Sequence, residues 1–180
     1  MIYLFLADGF EETEAITPLD LIRRAGGEIR TVGVPGTRVT GSHGITVEAD
    51  LSLSDFQIDD SIEMLILPGG MPGTVNLDSA PKVHEAIRFA AERGLPIGAI
   101  CAAPSILGRI GLLSGHAAVC YPGFEDQLIG AEISAKSVVV DENLITAKGM
   151  GVALEFGLCL VEVLFGEDEA KRIRESVQSS

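Results

Sequence analysis

Hydrophobic positions fall along this chain in short runs separated by stretches of helical period. Met1–Ala7 and Met64–Leu67 are apolar throughout, and Leu95–Ile100 nearly so. That is the pattern of strands covered on both faces. Ile29–Val34 reads as a second strand, and Ala117–Cys120 as another, ended by Tyr121-Pro122-Gly123. Val138–Val140 and Leu144–Thr146 flank Asp141-Glu142-Asn143, which predicts a hairpin. Between the strands the period changes. In Glu11–Ala25 the apolar Ala15, Leu19 and Ile22 share a face with Ile16 beside them, Arg23 and Arg24 occupy the last turn, and Gly26-Gly27 stops the helix. A further helix starts near Ser79, tolerates Pro81 in its first turn and ends at Gly94, with Val83, Ile87 and Ala90 inward. Ala102–Ile110 predicts a short helix, with Pro104 in its first turn. Met150–Phe165 is apolar nearly all round and predicts a buried helix, ended by Gly166 and followed by a charged helix from Glu167. Pro35–Asp50 reads as short strands and turns.

Strands alternating with helices predict a mostly parallel, doubly wound sheet, with ligands at the carboxyl ends of its strands. The 180 residues suit one domain spanning 1–180. A domain of about this size buries roughly 70% of its unfolded surface, so one core suffices.

Composition narrows the function classes. Hydrophobic residues make up 47% and the formal net charge is −13. Such a field repels phosphate backbones and anionic bilayers, so neither nucleic acid nor membrane is an expected partner. The first apolar run lacks a basic flank and is too short for a secretion signal or a membrane span. It reads as a buried strand of a cytoplasmic protein. Three cysteines make no disulfide framework, and His43, His84 and His116 do not cluster with them in a zinc pattern. No metal or organic cofactor is expected.

Three strand ends carry the candidate chemistry: Asp8–Glu14, Pro68–Gly73 and Ile100–Pro104. Cys101 follows a strand and precedes a helix, so free backbone N–H groups and the helix dipole favour its thiolate. Small neighbours at Gly98, Ala99, Ala102 and Ala103 permit the sharp turn of a nucleophile elbow; a buried structural cysteine is the plainer reading of the segment alone. Gly69-Gly70 lets backbone approach a ligand, and the N–H groups of Gly70 and Ala102 are candidate oxyanion donors. Glu11 and Glu12 read as complements to the helix dipole. Glu14 lies one turn on, where it can face Cys101. Buried beside a thiolate, it would stay protonated, donate a hydrogen bond to the sulfur and shuttle a proton.

Asp8-Gly9-Phe10-Glu11-Glu12-Thr13-Glu14, Leu67-Pro68-Gly69-Gly70-Met71-Pro72-Gly73 and Ala99-Ile100-Cys101-Ala102-Ala103-Pro104 together resemble the ThiJ/PfpI superfamily. The similarity is to its branch of Parkinson disease protein 7, the protein deglycases. It runs to about Gly166 and includes Lys148-Gly149-Met150-Gly151 and Glu155-Phe156. The family's additional C-terminal helix is expected to be shortened or absent. The resemblance implies a three-layer, flavodoxin-like fold of the class I glutamine amidotransferase type. It implies Cys101 as the oxidation-sensitive nucleophile, Glu14 as the acid against its sulfur, and Gly70 and Ala102 as the oxyanion hole. It also implies a homodimer with active sites near the interface.

The resemblance has one departure. Some relatives carry a histidine where Tyr121 stands, before Pro122. No histidine follows Cys101 either, so peptidase and amidotransferase activities are not expected. His43 is a loop residue, either near the pocket or solvated. Cys120 is a candidate resolving thiol or a half-buried strand cysteine, and Cys159 is read as packing. Two functions follow. One is a glutathione-independent glyoxalase or deglycase acting on small aldehydes or dicarbonyls such as methylglyoxal, or on their adducts. The other is a redox-sensing or chaperone-like stress protein that uses oxidation of Cys101. A third reading, an interaction module that keeps only the fold, requires an ordinary thiol at Cys101.

Overall fold

The structure, a computed structural model, describes residues 1–179. The chain order is β1 (Ile2–Ala7), α1 (Glu12–Arg24), β2 (Ile29–Val34), β3 (Arg38–Thr40), β4 (Thr46–Glu48), β5 (Leu51–Ser52), β6 (Met64–Leu67), α2 (Gly73–Asp78), α3 (Pro81–Glu92), β7 (Ile97–Ile100), α4 (Pro104–Arg109), β8 (Ala117–Ala118), β9 (Glu132–Ile133), β10 (Val138–Asp141), β11 (Leu144–Ala147), α5 (Ala153–Phe165) and α6 (Glu167–Ser176). Seven strands form the main sheet in the order β10-β11-β7-β6-β1-β2-β5. All its pairings are parallel except the β10–β11 hairpin at one edge. This is the flavodoxin-like α/β arrangement.

The continuous apolar strands follow from helices on both sheet faces. Along β1 every residue is buried, and alternate side chains feed opposite layers. Tyr3, Phe5 and Ala7 join one core with Val83 and Ile87 of α3 and Ile106 of α4. Ile2, Leu4 and Leu6 join the other with Leu21 and Ile22 of α1 and Phe156 and Leu160 of α5. Burying each such Leu, Ile or Phe contributes about 1.5–3 kcal/mol.

The topology also locates the site. After β1 the chain builds outward through β2 and β5, then returns to place β6 on the other side of β1. The reversal opens a crevice at the carboxyl ends of β1 and β6, where open α/β sheets bind ligands. Leu67 pairs with Ala99 and Ala147 with Ile100. The segments after β6, β7 and β11 therefore leave the sheet side by side.

Several elements differ from expectation. α2 precedes the helix expected near Ser79, in a stretch where the sequence pattern marks no element. β8 is two residues long and pairs with β9 outside the main sheet, because Val119 N–H is instead taken by the buried Thr146 hydroxyl at 3.0 Å. β5 joins the main sheet although no apolar run marks it. α4 begins at Pro104, since residues 101–103 are used in the turn. Met150–Val152 is a separate 3₁₀ turn, and α5 leaves Glu162 and Val163 exposed rather than burying its whole circumference.

The two helices behind the site touch at Gly157. A Cβ there would fall 2.6 Å from Leu21 Cδ1 and 3.0 Å from the Pro18 Cα. Gly157→Ala should destabilise the protein by about 1–3 kcal/mol through overpacking, measured as a lower urea midpoint at constant slope. An unchanged midpoint would show that α1 and α5 part freely.

Candidate active site

Cys101 follows β7 directly, with φ of 65°. This left-handed conformation costs a non-glycine residue about 1–3 kcal/mol. Two main-chain bonds clamp it: Cys101 N–H donates to Ala147 O at 2.9 Å, and Cys101 O accepts from Tyr121 N–H at 2.8 Å. The expected elbow is present, and its sulfur is half-buried.

Glu14 lies in the first turn of α1 and is 1% exposed. Its carboxyl lies beside the Cys101 side chain and the Met150 N–H, both of which act to lower its pKa. The Gly69 N–H donates to Oε2 at 3.0 Å. Position 69 must be glycine: a Cβ would stand 2.5 Å from Cys101 Cβ and 2.6 Å from Glu14 Oε2. Gly70 takes φ of 90°, and a Cβ there would meet Glu11 N at 2.4 Å. Its N–H and that of Ala102 both reach the Cys101 sulfur. Neither donates to a main-chain oxygen among the described residues, so both stay available to an oxyanion. All four residues singled out from the sequence thus meet in one place.

The electrostatics correct one expectation. The elbow amides and helix dipole do not depress the thiol. Burial first, then the Glu14 carboxylate, push Cys101 up to about 12, against the pull of the Gly70 and Ala102 N–H groups. α4 has only six residues and starts three residues after Cys101, so its dipole adds little. Glu14 is itself raised to about 7, by burial above all, with the nearby Glu11 charge adding to it and the Cys101, Gly69 and Met150 hydrogen bonds opposing. Between about 7 and about 12 the pair therefore holds one proton. A thiolate forms by passing that proton to Glu14, which removes the main repulsion and leaves the two amides on the sulfur.

Three features were not foreseen. Glu11 caps α1, its Oε2 accepting from Glu14 N–H at 2.7 Å. Glu12 is buried rather than a solvated dipole complement, and latches the 41–45 loop. Its carboxylate accepts from His43 N–H at 2.7 Å and pairs with His43 Nδ1 at 2.9 Å. Burial raises Glu12, but these bonds and the Ile45 N–H outweigh it and hold the acid at about 2. The exposed His43 ring thus serves the latch. Ligand atoms of Glu11, Glu12 and His43 lie within 4.8 Å of one another, with Glu11 occupied in the cap and Glu12 in the latch. The main-chain donors Gly69, Met150 and Tyr121 carry no side-chain signal for these roles.

Cys120 contributes to the core on the far face of the sheet, its thiol meeting the Phe124 N–H. It does not face Cys101. Cys159 is half-buried on α5 between Glu155 and Glu162. Tyr121 is 51% exposed, its ring over Gly149. With Pro122 and Lys148–Val152 it lines an open groove of about 420 Å³. A larger groove, about 520 Å³, lies between α1, α5 and α6 and shares no residue with the site. No helix among the described residues is long and apolar enough to cross a membrane.

Residues 1–163 match the DJ-1/PfpI family. The chain belongs to that family. Protein dj-1beta of Drosophila melanogaster is 35% identical over 173 residues, covering 94% of this chain and 92% of that protein. A protein named deglycase from Pyrococcus abyssi is 33% identical over 153 residues, covering 83% and 90%. Among solved structures, oxidized DJ-1 of Toxoplasma gondii superposes with a TM-score of 0.95 at 32% identity, covering 99% of this chain and 98% of that one.

The shared proton predicts a pH profile. Iodoacetamide alkylation of Cys101 should rise with a midpoint near pH 7, where Glu14 loses its own proton and becomes able to accept the thiol's. Glu14→Gln removes both that acceptor and the charge that repels the thiolate while the burial remains, so the profile should lose its step near pH 7 and climb continuously toward one higher midpoint. A profile unmoved by the substitution would separate the two groups.

Proposed function

We infer that this DJ-1/PfpI protein is a cysteine-dependent glyoxalase or deglycase. It acts without glutathione on reactive dicarbonyls such as methylglyoxal, or on their adducts. One observation carries this reading: a half-buried thiol, a carboxyl with its acidity near neutrality and two free N–H donors converge at the switch point of the sheet.

The chemistry follows from that set. Glu14 takes the thiol proton as the Cys101 sulfur attacks the aldehyde carbon, and the carbonyl oxygen becomes an oxyanion facing the Gly70 and Ala102 N–H groups. Protonation gives a hemithioacetal. Glu14 then removes the hydrogen of the former aldehyde carbon as a proton, and a proton returns at the neighbouring carbon. The result is a thioester of a 2-hydroxy acid. Water cleaves the thioester, regenerating the thiol, so the balance is dicarbonyl plus water to hydroxy acid. A pKa near 7 suits a group that accepts and returns protons at neutral pH. The name of the Pyrococcus abyssi relative supports the assignment. Lactate should form from methylglyoxal without glutathione, and Cys101→Ala and Glu14→Ala should each lower kcat by at least about 100-fold. Equal, background-level rates in all three proteins would end this reading.

A redox-sensing role has its own support. Cys101 is half-exposed and ringed by donors, whereas Cys120 is 2% exposed. The structure neighbour from Toxoplasma gondii is described as oxidized. Peroxide oxidises the thiolate to a sulfenate and then a sulfinate, giving up one oxygen and releasing water at each step. Mild peroxide should add two oxygens at Cys101 while leaving Cys120 and Cys159 unchanged in mass spectra. Uniform oxidation of all three would argue against a sensor.

The partner in this reading is a second copy. Ile16 of α1 is 41% exposed and lines the groove between α1, α5 and α6 with Leu154 and Val177, apolar surface that association would cover. Light scattering should return twice the mass of one chain, and Ile16→Glu should shift the population to monomer. A wild-type protein at single-chain mass would exclude the dimer.

A further inference from the structure

We propose that Tyr121 and Met150 form a selective wall of the site, favouring dicarbonyls that carry an aromatic or other bulky apolar substituent. This rests on the reading of Cys101 as an aldehyde-attacking thiol and names the substrate class of that site.

The groove lies beside the reacting pair, with Gly149 between its wall and the Glu14 carboxyl. A Cβ on Gly149 would stand 3.2 Å from Tyr121 Cδ2 and 3.6 Å from Glu14 Oε1. The Tyr121 ring and the Glu14 carboxyl thus flank Gly149, with no side chain between them there. Both wall residues are tied through their main chains to that pair. Tyr121 N–H holds Cys101 O, and the Met150 N–H lies close enough to the Glu14 carboxyl to lower its pKa. A substituent on the wall is therefore held in register with the sulfur.

Size and lining indicate what it takes. About 420 Å³ falls among volumes that hold multi-ring ligands, roughly 300–1,000 Å³. A three-carbon dicarbonyl leaves most of it wet. The Tyr121 ring and Met150 thioether are 51% and 55% exposed, and Pro122 and Val152 extend the apolar lining. An aromatic guest gains offset or edge contacts with the ring and a sulfur contact with the methionine. The one cation of the groove, Lys148, directs an Nζ donor to Ala135 O at 3.1 Å.

The test compares phenylglyoxal with methylglyoxal. Wild type should favour phenylglyoxal in kcat/KM by about tenfold or more, a usual range for one hydrophobic contact. Tyr121→Ala should lower the phenylglyoxal-to-methylglyoxal ratio about tenfold, chiefly through KM, while Tyr121→Phe keeps it. Equal handling of both probes by wild type, or a Tyr121→Ala loss shared equally, overturns the proposal. A separate readout needs no turnover: Cys101→Ala should bind mandelamide about tenfold tighter than lactamide by calorimetry, and adding Tyr121→Ala should abolish the difference. If neither dicarbonyl reacts but that difference holds, the catalytic reading fails and the wall stands. Equal binding of the two amides removes the wall, whatever the kinetics.

Discussion

One proton shared by the Cys101 thiol and the Glu14 carboxyl governs this site. The Glu14 carboxylate opposes ionisation of the thiol, the thiol favours that of the carboxyl, and burial opposes both. Glu14 keeps its proton to about pH 7 in the folded protein, against 4.5 for the free acid. The folded state therefore binds that proton more tightly than the unfolded chain. The associated stability is complete below pH 4.5 and is lost as pH rises through 7, an amount on the order of 3 kcal/mol. At neutral pH the protein tolerates a carboxyl whose chemistry would otherwise be averaged away by water.

The rest of the fold makes this tolerable. Elements from four places in the sequence converge to hold two atoms together: the first turn of α1, the Gly69-Gly70 turn, the elbow after β7 and the segment after β11. Their register in the sheet is set by side chains tens of residues away. The left-handed turn at Cys101 persists because β11 grips its amide and the Tyr121 amide grips its carbonyl. Strain and burial of this kind concentrate where function needs them.

Much of this was legible in the residues. The unbroken apolar runs of β1 and β6 could only be strands covered twice, and the alternation with helical period implied the parallel order. Cys101 and Glu14 stood out because a nucleophile and an acid sat at strand ends, which a doubly wound sheet brings to one edge. The sign of the thiol's acidity was not legible. It depends on how much solvent the finished fold excludes, and local spacing contains no record of that. α2 was missed because Gly73 opens it with no capping side chain. β8 was drawn too long because a buried threonine hydroxyl, 27 positions away, takes the next amide. The Glu12 latch was hidden because acids at a helix start have a commonplace explanation that needs no partner.

The latch bears on how the site behaves in a cell whose pH drifts. Glu12 and Glu14 stand two positions apart on one helix, yet one releases its proton at about 2 and the other at about 7. The first is a fixed anion under all physiological conditions, so the loop it fastens stays closed over α1 while its neighbour cycles. Reactivity can then follow acidity without any movement of the scaffold, and the first turn of α1 serves as both mooring and valve.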